Sequence, residues 1–293
     1  MRMTPLTALA LGSTAAALAL TAGPSTAAPS TTTSSTGATT AATATTRLQA
    51  VGLEAGGKHL VRFRTDRPGG STRTGTVTGL KGDSRLLGID YRVADGKLYG
   101  LGNNGGIYTL TRAGLATRTG ALTVPLEGTL FGVDVNPAAD ALRIVSNTGQ
   151  NLRQSFATPA VPTAVDTRLT TPPTTGDTAG VVAAAYTNND TSTATATTLY
   201  DIDVRTNRVA VQAPANAGTL SPTGSLGVDA RGNAGLDIYS VVRNGKAVDH
   251  VAYATLRVGG VHGLYRVDLL TGEATRVGAF AQEVVDLAIP VAQ

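Results

Sequence analysis

Apolar and polar residues alternate in short runs from Arg47 to the end of the chain, and Gly, Asn, Asp or Pro interrupt the runs. A period of two marks a strand with unlike faces. One pattern recurs. It stands as LYRVDLLTGEATRVG from Leu264, LYDIDVRTNRVAVQ from Leu199, IYTLTRAGLATRTG from Ile107 and LVRFRTDRPGGSTRTG from Leu60, with a poorer copy, LRQSFATPAVPTAV, from Leu152. Each is an alternating run, a turn and a second short run, so each predicts a β-hairpin.

The copies start 47, 45, 47 and 65 residues apart. All-β units repeating at about 40–50 residues indicate the four-stranded blades of a β-propeller. Each hairpin supplies the outer two strands of a blade, and runs upstream supply the inner two. Before Ile107 stand LLGIDYR and KLYGLG, and before Leu152 stand LFGVDV and ALRIVS. VVAAAYT and ATATT precede Leu199, and SLGVDA and VAYATLRV precede Leu264. The excess in the long interval, near Arg231 to His250, predicts an extra hairpin. The first copy lacks an innermost strand, while VVDLAI, Val284 to Ile289, remains after the last. The expectation is an all-β propeller of five blades closed by this C-terminal strand, which removes the edges an open sheet exposes. Six shorter blades or a two-sheet sandwich are the alternatives.

The opening residues change the picture at one end. MRMTPLTALALGSTAAALALTAGPSTAAPS combines Arg2, an apolar run from Leu6 to Ala22 and small residues at Thr26, Ala27 and Ala28. This is the layout of a secretory signal peptide. Gly12, Ser13 and Thr14 break the run, so it predicts export rather than a membrane anchor. From Pro29 to Thr46 there is no charge and no large apolar group, and such a segment cannot offset the entropy of ordering. The expected organisation is a signal peptide over 1–28, a disordered leader over 29–46 and one propeller domain over 47–293. The protein is expected to be secreted and extracellular, with no membrane span once mature, and monomeric.

The chain has no Cys, which excludes disulfides, thiolate metal sites and thiol nucleophiles. Its net charge of +4 comes almost wholly from Arg, with no Arg cluster interleaved with aromatics, so no nucleic-acid partner is expected. His59, His250 and His262 lack metal-motif spacing, and no nucleophile elbow or phosphate-binding loop is present. Acyl transfer and zinc hydrolysis are therefore not expected.

At LLGIDYR, GKLYGLG and GIYTL, and again at LFGVDVNPAADALRIVSNTGQNLR, the chain resembles the bacterial DUF4394 family, a domain of unknown function in exported proteins. The likeness runs roughly from Leu86 to Ala288, and the GQNLR segment, Gly149 to Arg153, with the preceding VDVNP is its most specific part. Arg92-Val93 stands where members often carry Arg-Pro, and Asp140-Ala141 where they often carry Asp-Arg. The family name implies no activity.

Two groups of residues are candidates for chemistry. Asp90, Asp134 and Asp229 end inner strands, with Ala185 and Ala288 at the equivalent places in the other blades. Around a central channel these carboxylates could meet and hold Ca²⁺, which takes hard oxygen ligands. Alternatively each accepts hydrogen bonds from a turn of its own blade. The second group, Asp134, Asn136, Asp140, Arg143, Gln150, Asn151 and Arg153, is the densest polar stretch. There Arg143 and Arg153 could clamp a carboxylate or phosphate, with Gln150 and Asn151 as orienting amides. An Asp140–Arg143 turn pair is the alternative. The function expected is binding of a small molecule, a glycan or a surface protein in loops at one end of the channel. A lyase or hydrolase using the channel carboxylates and Arg143 or Arg153, and a structural surface module, remain as alternatives.

Overall fold

The computed structural model describes residues 47–157, 161–190, 192 and 194–291. The expected signal peptide and leader lie outside the described residues. Five four-stranded antiparallel sheets stand in a ring, a five-bladed β-propeller. Blade 1 runs outward from the C-terminal strand β20 (Val284–Ala288) through β1 (Gln49–Glu54) and β2 (His59–Arg64) to β3 (Arg67–Thr76). Blade 2 is β4 (Leu86–Tyr91), β5 (Leu98–Gly102), β6 (Gly106–Leu110) and β7 (Ala116–Ala121). Blade 3 is β8 (Phe131–Asn136), β9 (Ala141–Ser146), β10 (Asn151–Ser155) and β11 (Ala164–Val165). Blade 4 is β12 (Val181–Tyr186), β13 (Leu199–Asp203), β14 (Arg208–Gln212) and β15 (Leu220–Ser225). Blade 5 is β16 (Gly235–Arg243), β17 (Lys246–Val258), β18 (Val261–Val267) and β19 (Ala274–Ala279). The innermost strands β20, β4, β8, β12 and β16 touch in that cyclic order. Among the described residues no helix is long and apolar enough to cross a membrane.

Alternation decides which seam each side chain fills. In β2, Val61 and Phe63 pack toward blade 5 with Tyr253 and Leu264, whereas Leu60 packs toward blade 2 with Leu86 and Tyr108. In β13, Leu199 joins Val145 of blade 3, and Ile202 joins Leu236 and Ile238 of blade 5. Blade 2 meets blade 3 through Tyr99, Ile107, Val133 and Ile144. The core is thus divided among five seams, one for each neighbouring pair of blades. Strands near the axis are covered on both faces, which is why β12 reads as the unbroken apolar run VVAAAY. Tyr99, Tyr108, Tyr200 and Tyr265 are all buried in these seams.

Blade 4 differs from the sequence expectation by one strand. LYDID and RVAVQ, expected as its outer pair, form the middle strands β13 and β14. The outermost strand is β15, LSPTGS, whose Pro222 and Gly224 give it almost no strand signal. An outer edge tolerates them because its far side donates to no ladder. ATATT lies in the β12–β13 connection, and the innermost strand of blade 5 is GLDIYS in β16, not SLGVDA. No extra hairpin is inserted. The surplus residues lengthen β16 and β17 to 9 and 13 residues. These strands turn at Asn244-Gly245, with φ of 52° and 74°, the left-handed pair that a two-residue hairpin loop requires.

Closure of the ring rests on β20, which pairs with β1 as expected and buries Val284, Leu287 and Ala288 almost completely. Each large apolar side chain there contributes about 1.5–3 kcal/mol, against a domain stability of about 5–15 kcal/mol. Removal of residues 284–293 is expected to give aggregated or globally unfolded protein by size-exclusion chromatography and circular dichroism. A soluble, cooperatively melting truncation would contradict a ring held shut by this strand.

Candidate functional site

The inner strands carry a recurrent Gly-x-Asp, and its geometry explains both residues. In β4 it is Gly88-Ile89-Asp90, in β8 Gly132-Val133-Asp134 and in β16 Gly235-Leu236-Asp237. The glycine is needed for close approach. A Cβ on Gly132 would lie 2.6 Å from the backbone of Ala183 in the next blade, and one on Gly88 would lie 2.6 Å from Val133. With the strands that close, each aspartate reaches across the seam. Asp90 Oδ2 accepts the backbone N–H of Val135 at 2.8 Å, and Asp134 Oδ2 accepts that of Tyr186 at 2.9 Å. Asp237 Oδ2 accepts the N–H of Ile289 at 2.5 Å, and Asp286 of β20 accepts that of Ile89 at 2.8 Å. Innermost strands have no partner on their axial side, so these buried N–H groups would otherwise cost free energy. The fifth seam has Ala185 at the corresponding place. There Asn189 donates its side-chain N–H to the Ile238 carbonyl, and its backbone N–H to Ser240 Oγ.

Three of these carboxylates converge. Asp90, Asp134 and Asp237 each offer an oxygen, and the three oxygens lie within 4.8 Å of one another. All three residues are buried. Burial pushes Asp90 up to about 7, and the carboxyl of Asp286 adds to this. Burial and the Asp90 charge hold Asp134 and Asp237 well above the usual carboxylate range. Asp286 is raised by burial and then by Asp237. Like charges this close resist simultaneous ionisation, and Asp90 and Asp134 are placed to share a proton by hydrogen bonding. The same oxygens form the described group whose spacing suits one small hard cation such as Ca²⁺.

The sequence-chosen trio is therefore only partly assembled. Asp90 and Asp134 meet, but Asp229 does not join them. It lies in the loop after β15, its side chain 64% exposed, held by Arg231 and Asn207. Its place in the ring is taken by Asp237; Ala288 stands at the equivalent place in blade 1, as expected, and Asp286, two residues earlier, reaches across the next seam instead. The error follows from the one-strand displacement in blade 4: Gly227-Val228-Asp229 copies the Gly-x-Asp signature in a loop.

The second group does not form one site. Asn136 caps the β8–β9 turn by accepting the N–H groups of Ala138 and Ala139. Asp140 takes Arg92 of blade 2 in a two-pronged pair, not Arg143. Gln150 bonds the backbone of Glu127 and Pro125. Arg143, 1% exposed, and Arg153 do converge on a carboxylate, as their chemistry suggested, but the carboxylate is the chain's own Asp166. Asn151 accepts from Arg143 and donates to the Thr167 and Ala215 carbonyls. These residues bind one another and the neighbouring backbone.

Surface charge without an internal partner lies elsewhere. Two adjoining hollows of about 520 and 530 Å³ open between blades 1 and 2, and both are lined by Val51, Tyr91, Arg112 and Pro290. The first also has Arg62, Arg64 and Thr72, and the second Lys97, Thr109 and Thr111. Arg64 is paired with Asp66, and Lys97 stands 3.9 Å from Asp95. Arg62 and Arg112 are exposed and have no carboxylate within ion-pairing distance among the described residues. Sequence reading missed this trough because Arg62 and Arg112 are 50 positions apart and neither stands in a motif.

The family model described as "Domain of unknown function (DUF4394)" matches residues 59–288. No curated protein matches the chain. Among solved structures, the computationally designed Ika8 protein is 11% identical, with 82% of this chain and 65% of that chain covered and a TM-score of 0.35. A protein from Lactobacillus plantarum is 18% identical over 80% of this chain and 67% of its own, with a TM-score of 0.40. An extracellular domain from B. thetaiotaomicron is 13% identical over 80% of this chain and 28% of its own, with a TM-score of 0.39. The chain thus spans under two thirds of the first and third of these.

The ring aspartates make a stability prediction. A carboxyl raised in the folded state stabilises fully below its unfolded value, 3.8, and that contribution is lost as pH rises through the folded value, about 7 for Asp90. Asp134→Asn keeps an acceptor for Tyr186 and removes one charge from the cluster. Its melting temperature is expected to gain on that of the wild type as pH rises from 4 to 8. Parallel melting profiles for the two proteins across that range would show that the ring carries no such linkage.

Proposed function

We propose that this chain, which belongs to the family Domain of unknown function (DUF4394), is an exported binding module that takes an acidic glycan in the trough between blades 1 and 2. The observation that carries the reading is that Arg112 lines both hollows and Arg62 one of them, neither with a carboxylate within ion-pairing distance among the described residues, and that the hollows share Tyr91 and Pro290. Unspent guanidinium groups recognise carboxylate and sulfate by paired N–H donors. An extended, two-part trough suits a chain of sugar units better than a single small anion. Threonine hydroxyls along both halves and the half-buried Tyr91 ring supply the polar and flat surfaces that sugars contact. Arg112 stands close enough to Tyr91 to act on its phenol, opposing the upward push of burial. The apolar leader with small residues at Thr26, Ala27 and Ala28 supports a place outside the cell, where such polymers are met.

Polygalacturonate and uncharged dextran are suitable probes. Isothermal titration calorimetry is expected to show binding of polygalacturonate that weakens with salt, and no binding of dextran. Arg62→Ala with Arg112→Ala should weaken binding tenfold or more, about 1.4 kcal/mol, with the melting temperature unchanged because both side chains are exposed. Equal binding of the two polymers, or full polygalacturonate binding by the double variant, would contradict the reading.

A further inference from the structure

Blade 4 contains a carboxylate that no protein donor reaches. Asp201, in the middle of β13, is 0% exposed, and neither of its carboxylate oxygens has a hydrogen-bond partner. Its cross-strand neighbours are Ala184 and Ala210, whose methyl groups offer nothing to bond. The register places Gln212 on the same face, because Gln212 opposes Leu199, two residues before Asp201. Gln212 is also buried. Its Nε2 donates to the Ala215 carbonyl at 2.5 Å, but its Oε1 is without a donor. Three acceptor oxygens are therefore enclosed without partners among the described protein atoms.

The face they share looks onto Arg143 of blade 3. That guanidinium donates to Tyr186, Asn151, Asp166 and Asn216. Asn151 also donates to the Ala215 carbonyl that Gln212 uses, so the two networks meet at one atom. Arg143 is near enough to act on the charge of Asp201, opposing the burial that pushes this carboxyl up to about 8. A single carboxylate, Asp166, serves both Arg143 and Arg153.

We propose that the seam between blades 3 and 4 encloses a hydration site, in which one water molecule donates to Asp201 and to Oε1 of Gln212 and links them to the Arg143 network. Three acceptors call for a guest that donates at two or more points. Water does so without adding charge. A metal or ammonium ion would place a positive charge beside a buried guanidinium. Burial leaves Asp201 largely protonated at neutral pH, so the seam already holds two guanidinium groups against Asp166, and a further cation is disfavoured there. A buried water typically makes about three hydrogen bonds to polar groups left unpaired. Asp201 is then a positioning residue: it holds the water.

A crystal structure of the full chain at 1.5 Å or better, including crystals soaked in Tl⁺, tests this together with two variants (the resolution being about what ordered buried waters require). The expected result is a solvent peak within hydrogen-bond distance of one Asp201 oxygen and of Gln212 Oε1, with no anomalous signal from Tl⁺. A direct Asp201–Gln212 hydrogen bond with no peak, or a Tl⁺ signal at that point, would overturn it. Asp201→Val should lower the melting temperature by several degrees or prevent folding, because the water loses one of its anchors and Gln212 loses its bridged partner. Asp201→Asn should fold, melt slightly below the wild type and keep the peak. If either variant melts higher than the wild type, the carboxylate is a bare desolvated group and the proposal fails.

Discussion

A closed ring of sheets must hold its innermost strands against neighbours with which they make no backbone ladder. Each such strand has one edge turned to the axis, where its N–H groups lack a strand partner. In this propeller, one aspartate per inner strand reaches into the next blade and accepts one of those N–H groups. Four of the five seams use the device, through Asp90, Asp134, Asp237 and Asp286. The rest of the architecture follows from it. The glycine two residues before Asp90, Asp134 and Asp237 lets the strands come close enough, and the apolar residues on either side fill the seams that this closeness defines.

The same device concentrates like charges at the axis. Strands twist and converge there, so carboxylates that each serve one seam end up within reach of one another. The cluster must then carry protons or a counter-ion, and this couples the stability of the ring to pH. Other polar residues of the interior hold blades together. Arg143, Asn151 and Asp166 hold blade 3 to blade 4, and Arg92 with Asp140 holds blade 2 to blade 3. Arg62 and Arg112 stand instead at the surface between blades 1 and 2, with no carboxylate within ion-pairing distance among the described residues.

Much of the fold was legible because a propeller repeats its constraints. The spacing of hairpins and the unmatched strand VVDLAI indicated five blades and their closure, since both follow from counting apolar runs. The displacement in blade 4 was not legible. Its outermost strand, LSPTGS, has the composition of a loop, and Gly227-Val228-Asp229 imitates an inner strand without becoming one. What separates it from Gly235-Leu236-Asp237 is the sequence that follows: Ile-Tyr-Ser continues the alternation after Asp237, whereas Ala-Arg-Gly-Asn breaks it after Asp229. The polar stretch from Asp134 to Arg153 was visible as a cluster in the chain. Its division between two seams and the turns of blade 3 was not, because alternate residues of a strand face opposite blades.

Native-state hydrogen exchange measured amide by amide tests the central claim most directly. If the aspartate latches hold the ring, the N–H groups of Ile89, Val135, Tyr186 and Ile289 open only when the whole domain unfolds. Their exchange should report the global unfolding free energy and match the ladder amides of β5, β9 and β13. Exchange of these four amides through a lower-energy opening, while the ladders stay protected, would show that the blades are held together by apolar seams alone and that the latches are incidental.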